Sequence, residues 1–249
     1  MLKSRRHNEI IEILQKNGFV SVKQLSDTLF ASESSIRRDL NELEKRHIIK
    51  RSYGGAELIT AKTNVVYFGA RSYDYVEQKR VIAQKAATLI KQGDVVFLDQ
   101  SSTCYFLALE LERFNSLTVV TNNIEILNVL STSGNTVYST GGVISKQNNN
   151  CLIGSGASKT FESVYADKMF FSSGSVTDEG VITDRTCEEI YVRNSMLKNA
   201  TKKVFLCDSS KLDSASAFIQ CTLADIDTVV CENDAFLKFK PNFKNLEII

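Results

Sequence analysis

Ser34, Arg37, Arg38 and Asn41 recur at i, i+3, i+4 and i+7, the spacing that places four side chains on one face of a helix. Two guanidinium groups, a hydroxyl and an amide on one exposed face can grip phosphate oxygens or read base edges. Arg pairs bidentately with guanine and Asn with adenine, and the DNA major groove admits a helix. Shortly after them Ile48-Ile49-Lys50-Arg51 reads as a strand, and Ser52-Tyr53-Gly54-Gly55 as a turn leading back through Ala56, Glu57 and Leu58. A two-stranded wing carrying Lys50 and Arg51 suits a phosphate backbone or a minor groove. A second set with chemical potential is Asp99-Gln100-Ser101-Ser102-Thr103, which follows the apolar run Val95-Val96-Phe97-Leu98 and opens a helical pattern. Three successive hydroxyls beside the free N–H groups of a helix start form an anion cradle, although a polar helix cap has the same composition. Asn122, within Thr121-Asn122-Asn123, and the pair Gly141-Gly142 end the next two apolar runs. In a parallel sheet three such ends converge where ligands bind.

Other chemistries are excluded by what is missing. Two histidines, His7 and His47, in unrelated contexts make no catalytic triad, and no serine sits in a G-x-S-x-G elbow. Gly154-Ser155-Gly156-Ala157-Ser158-Lys159-Thr160 resembles a phosphate loop, but Ile153 and Ser158 occupy its required glycine positions. Lys159 likewise spoils a dinucleotide fingerprint, so no nucleotide cofactor is expected. The six cysteines, Cys104, Cys151, Cys187, Cys207, Cys221 and Cys231, contain no CxxC pair. They read as small buried thiols rather than metal ligands or a disulfide framework. No apolar run approaches the roughly 20 residues needed to cross a bilayer, and no apolar stretch follows the basic start to make a secretory signal. A cytoplasmic location without membrane association is expected.

The elements that must position these residues are legible in hydrophobic periodicity. Ile10, Ile11, Ile13 and Leu14 mark a first helix over roughly residues 4 to 16, ended by Gly18. Ser21 and Gln24 fit a capping box opening a second helix with Val22, Leu25 and Leu29 inward. Ser32 caps a third, with Ile36, Leu40 and Leu43 inward, and the tight connection at Phe30 and Ala31 makes the last two a helix-turn-helix. From Glu77 onward helices alternate with short apolar strands, the mark of an α/β domain. Residues 79–90, 105–113, 124–130 and 188–199 read as helices, and 95–98, 117–120, 137–139, 168–171, 203–206 and 228–231 as strands. The expected organisation is a winged helix-turn-helix domain over 1–57, a connector over 58–76 and an α/β domain over 77–249.

Charge follows this division. The 249 residues hold 30 Lys plus Arg against 29 Asp plus Glu, a net charge of +1 that hides an asymmetry. Residues 1–60 carry 11 basic and 8 acidic side chains, a net of +3, and the remainder 19 and 21, a net of −2. Between residues 34 and 53, Arg37, Arg38, Lys45, Arg46, Lys50 and Arg51 face only Asp39, Glu42 and Glu44. A solvated helix face is often this basic, so the stripe and the wing carry the nucleic-acid reading rather than the count alone.

The run from Arg6 through Ile10, Leu14, Val20-Ser21-Val22, Leu25, Ser32, Ile36-Arg37-Arg38-Asp39-Leu40 and Leu43 to Arg51 and Gly54-Gly55-Ala56 resembles the DNA-binding domain of DeoR-type bacterial transcriptional regulators. Ser35 stands where that family usually has Thr, and Tyr53 where His is common; both join the residues that the resemblance places at DNA. Asp39 reads as an ion pair holding the helices together, since phosphate would repel a carboxylate. The second half resembles the family's effector domain, similar in fold to ribose-5-phosphate isomerase and glucosamine-6-phosphate deaminase. The match rests on Phe68, Arg71, Lys79-Arg80, Asp99 with its hydroxyl loop, Thr121-Asn122, Gly141-Gly142, Asp167-Lys168, Gly180, Glu189 and Asp208-Ser209-Ser210-Lys211. Gln100-Ser101-Ser102-Thr103 replaces a common Ala-Gly-Thr-Thr, and Arg193 replaces a usual Lys.

The resemblance implies a DNA-binding regulator, a repressor of a carbohydrate-utilisation operon, modulated by a phosphorylated sugar and acting as a homo-oligomer on an operator. Asp99, Ser101, Ser102, Thr103, Asn122, Gly141, Gly142, Lys168, Glu189, Arg193 and Lys211 are its expected ligand residues. No metal, cofactor or catalytic residue is expected. The competing reading is a sugar-phosphate isomerase or deaminase with an accessory DNA-binding domain, for which Asp99, Asp178, Asp184 and Glu189 are candidate bases.

Overall fold

A computed structural model describes residues 3–45, 48–52, 54–58 and 74–249. Arg46, Tyr53 and most of the connector, with Phe68 and Arg71, lie outside the described residues. The chain divides into two compact units, Met1–Asp74 and Tyr75–Ile249.

The first unit is three helices and a small sheet. Helix α1 (Lys3–Asn17) buries Ile10, Ile11 and Leu14. After β1 (Val20–Ser21), helix α2 (Val22–Leu29) starts on the expected capping box: the Gln24 N–H donates to Ser21 Oγ at 3.2 Å, and the Ser21 N–H donates to Gln24 Oε1 at 2.9 Å. It ends at Phe30, in the left-handed region at φ 49° and 97 % exposed. Helix α3 (Glu33–Lys45) turns Ile36, Leu40 and Leu43 into the core shared with Leu25, Leu29 and Ile49. Strands β2 (Ile49–Ser52) and β3 (Gly55–Leu58) form the wing, and β1 joins it in the antiparallel order β1-β3-β2. Gly55 is required by close approach: a Cβ there would lie 2.4 Å from the Val20 carbonyl oxygen.

The second unit opens with α4 (Val76–Ala87), three residues earlier than its periodicity suggests. It continues through β4 (Val95–Leu98), α5 (Ser102–Leu111), β5 (Thr118–Thr121), α6 (Ile124–Leu130), β6 (Thr136–Ser139), β7 (Val143–Ile144), β8 (Leu152–Ile153), α7 (Ser155–Glu162) and β9 (Ala166–Phe171). The chain then runs through β10 (Ser175–Val176), β11 (Val181–Asp184), α8 (Cys187–Lys198), β12 (Ala200–Leu206), β13 (Phe218–Thr222), β14 (Thr228–Val230) and β15 (Glu247–Ile248). Seven strands form one parallel sheet in the order β15-β14-β12-β9-β4-β5-β6.

Both faces of that sheet are covered, which explains why its strands read as near-continuous apolar runs. Val96, Leu98, Phe170, Val204 and Leu206 pack on one side with α4, α5 and α6. Phe97, Met169, Phe171 and Phe205 pack on the other with α7 and α8. From β4 the chain moves to β5 and β6 in one direction. It then returns to lay β9, β12, β14 and β15 on the opposite side of β4. Right-handed crossovers force this reversal to switch helix faces, and the strand order puts the topological switch point, the place where such sheets bind ligands, at the carboxyl ends of β4 and β9.

Two parts of the unit escape the apolar pattern. Gly154-Ser155-Gly156, which mimics a phosphate loop, opens α7 instead. The antiparallel sheet β10-β11-β13 is built from strands of two to five residues with mixed exposure. Cys104, Cys151, Cys207 and Cys231 are buried, and Cys187 and Cys221 half-buried; none of the six forms a disulfide. Burial pushes the Cys221 and Cys231 thiols up to about 12, suppressing the reactive thiolate. No helix among the described residues is long and apolar enough to cross a membrane.

Candidate functional site

Helix α3 presents Ser34, Arg37, Arg38 and Asn41 to solvent on one face, with Ser35 half-buried at its edge. Ser32 organises the helix start: the Ser35 N–H donates to its Oγ at 3.3 Å, and the Ser34 and Ser35 hydroxyls lie 3.0 and 2.9 Å from the same oxygen. Arg37 Nη2 donates to Glu33 Oε2 at 3.0 Å, an exposed i, i+4 pair that yields readily to phosphate. Arg38 has no acidic partner among the described residues. The wing is tied to the helix: the Arg51 N–H donates to Glu44 Oε1 at 3.2 Å, and its guanidinium donates to Asn41 Oδ1. Lys50 is exposed.

Asp39, next to Arg38 in sequence, points the opposite way. It is buried and accepts from Arg6 Nη2 at 3.1 Å, with His7 Nε2 at 3.2 Å. Burial alone would raise its carboxyl, but the hydrogen bond and charge of Arg6, with His7 behind, hold it below the ordinary carboxylate range. Asp39 is therefore the ion pair locking α1 to α3.

In the second unit the carboxyl ends of β4, β5, β6, β9 and β12 meet. Asp99, just past β4, accepts the Ser101 N–H at 3.0 Å and, across the switch point, the Ser172 N–H at 3.3 Å. Ser101 caps α5, its Oγ accepting the Cys104 N–H at 3.1 Å. Ser102 and Thr103 are buried in the first turn, and Thr103 Oγ1 has no hydrogen-bond partner. Asn122 Nδ2, past β5, donates to Gln100 Oε1 at 3.2 Å and to the Leu152 carbonyl at 3.1 Å. Gln100 Nε2 donates to Glu189 Oε2 at 3.0 Å, and Asn148 Nδ2 to Glu189 Oε1 at 3.2 Å. Gly141 and Gly142 follow β6 at φ 64° and 108°. A Cβ at Gly142 would lie 2.6 Å from the Ile153 carbonyl oxygen, so the chain passes there only without a side chain.

Three expected cations have different placements. Lys211 Nζ donates to Ser172 Oγ at 2.7 Å and lies 3.3 Å from Asp208 Oδ2, at the switch point and one-fifth exposed. Arg193 is fully buried: its Nε donates to Asp99 Oδ2 at 3.1 Å, and its Nη1 to Asp184 Oδ2 at 3.1 Å and Gln220 Oε1 at 2.7 Å. Burial opposes its charge, yet Asp184, Asp99 and Glu189 outweigh that and raise its pKa further. Its Nε and Nη1 are taken up by internal acceptors, so it holds Asp99 in place instead of offering the free cation expected from the sequence. Lys168 is a plain correction. It lies near the amino end of β9, bound to Asp94 Oδ2 at 2.6 Å, because β9 begins two residues before it and the sheet separates that end from the switch point.

Sequence reasoning missed Asn148, Ser172 and Gln220, and quoted Gln100 and Asp184 without these roles. Asn148 lies in the run Asn148-Asn149-Asn150, which has no periodicity to distinguish one amide from the next. Among the described residues no group of three or more His, Cys, Asp or Glu could hold a metal ion.

Both units match known domains in the same chain order. Residues 6–62 match the DeoR-like helix-turn-helix domain and residues 74–233 the DeoR C terminal sensor domain. The chain belongs to the DeoR family of transcriptional regulators. This DeoR-family chain is 34 % identical over 234 residues to the HTH-type transcriptional regulator GolR of Listeria innocua, covering 94 % of itself and 92 % of the relative. It is 31 % identical over 255 residues to a lactose phosphotransferase system repressor of Staphylococcus epidermidis, covering all of both chains. Among solved structures, ribose 5-phosphate isomerase A of Methanocaldococcus jannaschii aligns with a TM-score of 0.42 at 17 % identity, over 55 % of this chain and 54 % of the other. A Pyrococcus horikoshii translation initiation factor eIF-2B aligns with a TM-score of 0.47 at 11 % identity, over 93 % and 90 %. Membership in the DeoR family makes the protein a DNA-binding regulator with an operator as partner, and displaces the isomerase or deaminase alternative.

Proposed function

We propose that this DeoR-family protein represses a carbohydrate-utilisation operon and is released from its operator by a phosphorylated sugar. The observation that carries the effector half is the start of α5 at the β4–β9 switch point. There the N–H groups of Ser102 and Thr103, the orphaned Thr103 hydroxyl and Lys211 offer donors to a phosphate. Asp99 would repel an anion, but Arg193 neutralises it from behind. Asn122, Gly141, Gly142 and Glu189 border the same end of the sheet, whereas Lys168 does not belong to this site.

On the DNA side Arg38, Arg37, Ser34, Ser35 and Asn41 read or grip the major groove while Lys50 and Arg51 hold the backbone. Residues 1–57 carry this function and residues 77–249 the sensor. Two such units spaced by one helical turn or a multiple of it, about 34 Å, match a pseudo-palindromic operator, so the working form is a homo-oligomer. A ligand that favours the arrangement with the wrong spacing shifts the population off DNA. The relatives named as repressors of sugar systems support this reading.

A gel-shift assay with the native upstream region tests the DNA half. The wild type binds at low salt, and Arg38→Ala binds roughly 5- to 150-fold more weakly, the equivalent of the roughly 1–3 kcal/mol that one base-reading arginine contributes. No shift for the wild type, or an unaltered shift for Arg38→Ala, would overturn it.

A further inference from the structure

We propose that Asn122, Gln100, Glu189 and Asn148 form a hydroxyl-reading subsite that accepts hydrogen bonds from the sugar part of the effector. The inference rests on the effector reading above and deepens it. Glu189 is 6 % exposed, and as a carboxylate it only accepts. Both neighbouring amides must therefore turn their nitrogens toward it, Gln100 Nε2 at 3.0 Å and Asn148 Nδ2 at 3.2 Å. With its nitrogen so committed, Gln100 presents Oε1 to Asn122, whose Nδ2 also faces the Leu152 carbonyl. The carboxylate thus polarises the whole chain of amides, and no member can flip without setting two donors or two acceptors face to face.

Two acceptors remain at the ends of this chain. Asn122 Oδ1 and Asn148 Oδ1 are buried and have no hydrogen-bond partner. A buried acceptor without a donor is costly, and two of the same polarity in one network at a sheet's ligand-binding edge mark a place for donors. A phosphate dianion cannot fill it, because it only accepts and Glu189 repels it. Hydroxyl groups can. Gln100 directly precedes Ser101, the cap of α5, so a phosphate at the helix start would hold its attached carbon chain beside the amides. The subsite thus calls for a sugar or polyol monophosphate with at least two free hydroxyls away from the phosphate. Gln100 stands where an alanine is common in the resemblance, which makes the continuous polarised chain a feature of this sequence.

The test uses the full-length chain and calorimetric titration with inorganic phosphate, a panel of hexose 6-phosphates and pentose 5-phosphates, and deoxy analogues of whichever binds most tightly. At least one sugar phosphate should bind more tightly than inorganic phosphate, and removing a hydroxyl that meets an amide should weaken binding at least tenfold. Glu189→Gln introduces a donor where the chain needs an acceptor, and should lower the ratio of sugar-phosphate to phosphate affinity at least tenfold. Should that variant fail to fold, Asn148→Leu reads the same ratio, and the analogue series on the wild type needs no variant. Deoxy analogues all binding as tightly as the parent would overturn the subsite and leave the effector reading standing. Binding of inorganic phosphate but of no sugar phosphate would overturn both.

Discussion

Arg38 and Asp39 are consecutive on α3 and have opposite fates, because an α-helix turns by about 100° from one residue to the next. Asp39 is buried against Arg6 and His7, and Arg38 stands free in solvent. Removing Asp39 strands the Arg6 charge, and the cost lies between that of a surface pair and a broken buried one, roughly 2–4 kcal/mol. Because its folded-state pKa is lowered, Asp39 stabilises the fold above its unfolded value near 4, and that contribution disappears as pH falls through the lower folded value. Asp39→Asn should accordingly melt several degrees below wild type at pH 7, with the gap closing below about pH 4. A gap that stays constant from pH 7 to pH 3 would rule out the pair as its source. Charge was legible in the sequence at this scale, but partners were not. Arg193, Lys168 and Lys211 all read as cations for a ligand; one is held by Asp99 and Asp184, one by Asp94 at the far end of its strand, and one reaches the switch point.

Elements with a strong period were legible to within about three residues of their ends. The capping box at Ser21, the stripe of α3 and the span of α6 follow from spacing alone, since each has a single way to bury its apolar side. The β7–β8 pair, α7 and the β10-β11-β13 sheet were not legible. They are short, and tertiary contacts set their form rather than local preference. Two backbone positions give tests at this scale. Phe30 closes α2 in the left-handed region with its ring in water, so Phe30→Asn loses no packing and suits the backbone better. It should stabilise the protein by about 0.5–1 kcal/mol, read as a higher melting temperature, and a lower one would show that the ring has a structural role. Gly142→Ala should do the reverse, since its φ of 108° and the Ile153 carbonyl at 2.6 Å both oppose a Cβ. A loss of about 1–3 kcal/mol is expected, together with weaker phosphate binding at the adjoining sheet edge, and an unchanged melting temperature would contradict the close approach.

At the scale of the molecule, near-neutrality is the sum of a basic reader and a slightly acidic sensor, +3 over residues 1–60 and −2 over the rest. DNA affinity should therefore fall steeply with salt, and deleting one cation that pairs with a DNA phosphate should flatten the log–log slope by about 0.9. Lys50→Ala should show that flattening in anisotropy titrations across salt, and substitution of Lys159, exposed on α7 in the sensor, should leave the slope as it was. The two-unit organisation was open to sequence reasoning because composition and period both change between the units. The switch point was only partly so, because strand order, which puts β9 beside β4, leaves no trace in local pattern. In the proposed mechanism a phosphorylated sugar bound at the β4–β9 edge weakens operator binding. Fluorescence anisotropy of the full chain on its own upstream DNA, titrated with hexose and pentose phosphates, tests this. At least one of them should lower operator affinity tenfold or more, while inorganic phosphate at the same concentration should not. Operator affinity unchanged by every sugar phosphate in the panel would contradict it.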